Sequence, residues 1–91
     1  VIKPTVGRVV LYVPLVSHCD EVYSIVEGRE HAAQIAFVHS DRMVNIGVID
    51  ANGKHFNKTS VPLVQPEDPT PANTDYCKWM DYQIGQAAKA V

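Results

Sequence analysis

Short apolar runs alternate with polar breaks along this chain, and the apolar positions recur with the period of strands. From Val6 to Val13, between Pro4 and Pro14, Val10 and Tyr12 fall on one face and Val9, Leu11 and Val13 on the other. Two apolar faces predict a well-buried strand. From His31 to His39, Ala33, Ile35 and Phe37 alternate with Gln34, Ala36 and Val38, a period of two. Ser40 and Asp41 supply turn chemistry. Arg42 to Ile49 is the next strand, with Val44, Ile46 and Val48 on one face. On its other face, Asn45 and Gly47 predict a surface that is solvated, or approached closely by another backbone or a ligand.

Asp50-Ala51-Asn52-Gly53 follows, and Asn-Gly tolerates the positive φ angles of a tight hairpin turn. Lys54 to Leu63 should therefore pair antiparallel with Arg42–Ile49, and Pro62, lacking an N–H, marks an edge or the end of that strand. Residues 64–75 form a proline-rich loop: the run Gln65–Thr74 holds three prolines and no large apolar residue, so it predicts an extended acidic loop. Tyr76 to Met80 resumes as a strand, with Cys77 and Trp79 opposite Tyr76, Lys78 and Met80. Residues 81–91 are a C-terminal tail, alanine-rich at its end, that can form a helix too short to stand alone. Residues 15–30 read two ways. Val22, Ile25 and Val26 suit a short helix, whereas Val22-Tyr23 and Ile25-Val26 suit a ragged hairpin; either is a variable excursion between strands.

Five short strands joined by tight turns predict an all-β fold, a single small domain over residues 1–91. A five-stranded SH3-like barrel with a long proline-rich loop and a short C-terminal tail or helix buries two-faced strands and removes free edges; an OB-type barrel is second. With 91 residues, 46% hydrophobic and 20% charged, the chain is globular with a thin core. Its formal charge of −2 lacks the basic surplus of a nucleic-acid binder, so that partner is not expected. No apolar run reaches membrane-span length and the start has no signal-peptide layout, which predicts no membrane and a cytoplasmic setting. Cys19 and Cys77 are then reduced thiols. His18 abuts Cys19, yet zinc sites take ligands in spaced pairs, so no metal and no cofactor is expected.

No catalytic residue emerges. His39-Ser40-Asp41 has the letters of a triad, but consecutive strand residues point apart and cannot converge. The five glycines stand singly, without a phosphate loop. What remains is a polar and aromatic string, Ser40, Arg42, Asn45 and Thr59 with Trp79 and Tyr82, whose guanidinium, hydroxyls and rings suit a nucleotide-like anion. Each member also has a structural account: Arg42 paired with Asp41 or Asp50, Trp79 in the core, Tyr82 anchoring the tail.

Lys3-Pro4-Thr5-Val6-Gly7-Arg8-Val9-Val10, His39-Ser40-Asp41-Arg42-Met43-Val44-Asn45, Asp50-Ala51-Asn52-Gly53, Thr59-Ser60-Val61-Pro62-Leu63 and Trp79-Met80-Asp81-Tyr82-Gln83 together resemble a family of small uncharacterised proteins of tailed bacteriophages and prophages. The resemblance spans the chain outside residues 15–30, with Asp81 where members often carry proline. It implies a phage-encoded protein working in the bacterial host cytoplasm, and it brings no catalytic residue. Three function classes follow. The first is a non-enzymatic binder that antagonises host defence, sequestering a nucleotide-like signal or blocking a host protein. The others are a virion or morphogenesis component of neck or connector type, and a single-stranded nucleic-acid-binding barrel. A homo-oligomer is expected in each, because a thin core gains from a subunit interface.

Overall fold

A computed structural model of the chain describes residues 1–19 and 24–89, with His18 and Cys19 described by their backbone. Seven strands and one helix follow in order: β1 (Val9–Val13), β2 (His18–Cys19), β3 (Ser24–Ile25), β4 (His31–Ser40), β5 (Met43–Ile49), β6 (His55–Val64), β7 (Tyr76–Lys78) and α1 (Asp81–Lys89). Strands β1, β4, β5, β6 and β7 close into a five-stranded barrel, while β2 and β3 pair as a separate two-stranded sheet. The order is compatible with an SH3-like barrel.

The β4–β5–β6 meander forms as its alternation predicts. Val44, Ile46 and Val48 on β5 face inward, joined by Val10 and Tyr12 of β1, Ala33 and Ile35 of β4, Val61 and Leu63 of β6, and Cys77 and Trp79. Gly53 takes φ +84° in the turn between β5 and β6, as Asn-Gly requires, and its N–H donates to the Asp50 carbonyl at 3.0 Å. Closure is not a simple meander. β7 runs parallel to β6, with Leu63 opposite Cys77, and antiparallel to β1, with Val13 opposite Tyr76.

Four local expectations are corrected. β1 begins at Val9, not Val6, because Gly7 turns the chain at φ +95°. On its outer face Val9 is 42% exposed and Leu11 half-buried while Val13 is buried, so the second face is covered only toward the strand's end. On β4 the alternation breaks at a bulge between Ile35 and Phe37. The extra residue turns Phe37 outward, 53% exposed, and brings Val38 against the core instead. Pro62 neither ends nor edges β6: it sits opposite Met43, and the strand continues to Val64 to pair with β7. Another bulge, between Val44 and Ile46, leaves Ser60 at φ +53°, held there as its N–H donates to Asn45 Oδ1 at 2.7 Å.

Of the two readings of residues 15–30, the described part is a hairpin, β2 pairing with β3; Val22, common to both readings, and Tyr23, used by the hairpin reading, lie outside the described residues. The tail is helical through Lys89. Gln83 Oε1 accepts the Met80 N–H at 2.8 Å, the return half of a capping box, while Gln83 Nε2 donates to the Val9 carbonyl at 2.7 Å and ties α1 to β1. Asp81 in the first turn and Lys89 in the last complement the helix dipole.

Candidate functional site

The two ends of the β4–β5 hairpin are built differently, and the residues expected to bind a ligand gather at the first. There the β4–β5 turn meets the proline-rich loop. Arg42 Nε and Nη2 donate to the two carboxylate oxygens of Asp68 at 2.8 and 3.2 Å, and Glu67 Oε1 lies 3.6 Å from Nη2. The partner is therefore the loop, not Asp41 or Asp50. Asp68 also accepts the Gln65 N–H at 3.1 Å. The hydrogen bond from Arg42, followed by that from Gln65, holds the Asp68 carboxyl below the usual carboxylate range; Asp68 in turn raises the Arg42 guanidinium.

Beneath this pair lies Gln65, 1% exposed. Its Oε1 accepts from Ile2 N at 2.8 Å and Trp79 Nε1 at 3.2 Å, and its Nε2 donates to the carbonyls of Ile2 at 3.0 Å and Asp41 at 2.6 Å. Both donors and both lone pairs of the amide are thus engaged. Among the described residues, no buried side-chain nitrogen or oxygen lacks a partner.

Of the six expected site residues, Ser40, Arg42 and Asn45 come together near this turn. Ser40 Oγ accepts the Arg42 N–H at 3.2 Å; Asn45 Oδ1 meets Ser60 N and, at 3.0 Å, His39 Nε2. Thr59 is exposed on β6 beside Ser60. Trp79 is 2% exposed in the core, with the Arg8 guanidinium 5.3 Å from its ring centroid, so it offers no free face for stacking. Tyr82 stands 73% exposed on α1. Arg42 is already bound within an acidic set, and an anion arriving there would have to displace Asp68.

The opposite end is open. A hollow of about 590 Å³ lies between β3, the segment leading into β4, and the β5–β6 turn, lined by Val26, Gly28, Arg29, Glu30, His31, Ala32, Ile49, Asp50 and Ala51. Two buried polar residues set its walls. His31 Nδ1 sits 3.0 Å from the Arg29 carbonyl and its Nε2 accepts the Val26 N–H at 3.3 Å, which assigns the neutral ring with its proton on Nδ1. Asp50 accepts the backbone N–H groups of Ser24 at 2.7 Å, Asn52 at 2.9 Å and Lys54 at 2.8 Å. Burial alone would raise the Asp50 carboxyl, but those three N–H groups hold it below the usual range. Ala51 N also donates to the Ser24 carbonyl at 2.9 Å, fastening β3 to the turn.

The lining joins apolar residues (Val26, Ala32, Ile49) to Arg29, which is exposed. Glu30 on its rim is paired with Lys78 of β7, on the other side of β1. Sequence reasoning left Arg29 and Glu30 within the variable excursion of residues 15–30, with no role of their own, and placed Asp50 in a turn or beside Arg42. The available signal was the aspartate heading Asp-Ala-Asn-Gly, whose side chain can collect turn N–H groups.

Cys77 is a free, buried thiol that donates to the Pro62 carbonyl at 3.4 Å, and burial pushes it up to about 12. It stays protonated and is no nucleophile at neutral pH. Among the described residues no group of three or more His, Cys, Asp or Glu side chains could hold a metal ion, and no helix is long and apolar enough to cross a membrane. Comparison with protein-family models, curated proteins and solved structures finds no match, so the phage resemblance is carried by the sequence motifs alone.

Proposed function

We propose that this chain is a small, phage-encoded, non-enzymatic binding protein that works in the bacterial host cytoplasm and antagonises host defence by sequestering a nucleotide-like signal. The hollow beside Arg29, rather than Arg42, takes the ligand. The observation that carries this reading is the contrast in how the two guanidiniums are used. Arg42 is bound bidentately to Asp68, whereas Arg29 has no ion pair among the described residues and lines the hollow together with Val26, Ala32 and Ile49. A volume near 590 Å³ lies within the range of small-molecule sites. Val26, Ala32 and Ile49 would take the flat face of a base, and Arg29 a phosphate in forked hydrogen bonds. Walls already fixed by His31 and Asp50 reduce the ordering cost of binding.

Native mass spectrometry of the protein taken from a bacterial lysate, and again after mixing with cyclic and linear nucleotides, tests this. A discrete nucleotide mass that Arg29→Ala loses and Arg42→Ala keeps is the expected result. No increment with any nucleotide, or one indifferent to Arg29, overturns it. The second reading, a virion or morphogenesis component, draws on the exposed Phe37 toward the end of β4 and on the exposed residues of the proline-rich loop. Large ligand-free rings in the same spectra would favour it. A single-stranded nucleic-acid barrel is disfavoured by the formal charge of −2.

A further inference from the structure

The distribution of charge over the barrel is uneven in a way the preceding reading does not use. All eight Lys and Arg and all ten Asp and Glu lie outside β4 and β5, whose seventeen residues carry none. Residues 9–19 carry none either, so β1, which pairs with β4, joins the same uncharged face; Glu30 precedes β4, Asp41 and Arg42 fill the turn, and Asp50 follows β5. Charge is what keeps an exposed sheet surface from sticking, and its depletion marks the centre of interfaces.

The same stretch presents a shaped outer surface. Gly47 and Ala36 floor a shallow groove of about 340 Å³, walled by Val6, Gln34, Ile49 and His55. Val6 at 66% and Val9 at 42% exposure extend its apolar border. Small side chains in mid-sheet let another layer approach closely. Gly47 needs no special conformation, since its φ is not positive, and a Cβ built there meets nothing within 4 Å. The fold itself therefore does not require glycine at this position.

We infer that the outer face of β4 and β5 is where two copies of this chain meet, packed about a two-fold axis over Gly47. A two-fold contact sets each residue against the same patch of its mate, so like charges would oppose one another; a face with no Lys, Arg, Asp or Glu avoids that penalty. The size is sufficient. Ten residues of β4 run about 33 Å. With β5 and the bordering valines the face is roughly 18 Å wide, which gives on the order of 600 Å² per copy and about 1,200 Å² in all, the lower end of specific interfaces. The dimer is accordingly a modest one, reversible with dilution. Ile49 lines both this groove and the hollow, so the seam borders the hollow, but the inference does not rest on what the hollow binds.

Sedimentation of the full chain from micromolar to several hundred micromolar concentration tests it. The wild type should pass from monomer to dimer across that range, and Gly47→Glu should weaken dimerisation at least about tenfold. The far-ultraviolet spectrum and melting temperature should stay unchanged, since the new side chain enters open space. Ala36→Glu, on the same floor, should act alike, whereas Arg42→Ala at the hairpin turn should leave the dimer intact. A wild type that stays monomeric throughout overturns the inference and leaves the face to a different protein. A dimer indifferent to both glutamate variants overturns it too.

Discussion

At one end of the β4–β5 hairpin a buried glutamine draws separate segments together until the space between them is filled; at the other a buried aspartate fastens two turns and leaves a hollow beside them. Gln65 spends its amide on Ile2, Asp41 and Trp79, from three distant stretches of sequence, and the loop that carries it also brings Asp68 to Arg42. Asp50 spends its carboxylate on backbone N–H groups of Ser24, Asn52 and Lys54, so its bonds shape the walls without reaching across the space they enclose. Both residues are fully satisfied. What differs is whether the satisfied bonds span the gap or run along its rim. The cationic side chain at the first end, Arg42, is held by Asp68, and the one at the second, Arg29, has no ion pair among the described residues.

The contrast can be broken hardest at the filled end. Trp79→Ala removes the largest buried side chain and should cost about 3–5 kcal/mol, enough to leave so small a domain largely unfolded by circular dichroism. Gln65→Ala strands the Trp79 N–H, the Asp41 carbonyl and both backbone groups of Ile2. An expected loss of about 2–4 kcal/mol would show in urea unfolding. A loss near zero would mean that the network is incidental to the closure of this end.

At the open end, Asp50→Ala should lower the melting temperature and abolish ligand capture together, because the wall loosens along with the turn. Arg29→Ala should abolish capture with the melting temperature unchanged, which separates recognition from architecture. Arg42→Ala is the smallest change: it breaks an exposed pair and should shift the melting temperature by no more than roughly a few degrees.

Titration sharpens the same comparison. Asp50 and Asp68 have folded-state values below those of the unfolded chain. Their contribution to stability is therefore complete above about pH 4 and is lost as pH falls through the folded values, loosening both ends. Cys77 is shifted the other way: its neutral thiol stabilises the fold fully below about pH 8.5, and that contribution fades as pH rises toward about 12. Melting temperatures measured across pH should fall on both flanks. Cys77→Ala should remove part of the alkaline fall.

The meander was legible because its signals are local. Val44, Ile46 and Val48 alternate without interruption, and Asn52-Gly53 names its own turn. Phe37 was misplaced because a bulge is one extra residue that sequence alternation does not mark. Gln65 was read as loop because nothing in a proline-rich acidic run shows that one amide turns inward to meet partners 14 to 63 positions away. For the same reason Arg42 looked available: Asp68 is 26 residues distant. Trp79 carried both a core and a stacking account in the sequence, and burial supports the former. The hollow was unreadable because it is a space between elements, bounded by residues that each look ordinary alone.

The parallel pairing of β6 with β7 has a bearing on how the protein comes to exist in a cell. The strand that seals the barrel follows every other barrel strand in chain order, so it is made after them, and it must find both Leu63 on β6 and the register of Leu11 to Val13 on β1. Until it emerges, β4, β5 and β6 can pair, but β1 and β6 remain unsealed and Trp79 has not yet arrived to plug the interior. A nascent chain halted before residue 76 therefore displays open strand edges and an uncovered apolar face, the state most prone to aggregate. Barrel closure is confined to the time after residues 76–79 have emerged, and a chain cut before them becomes a substrate for chaperones and proteases.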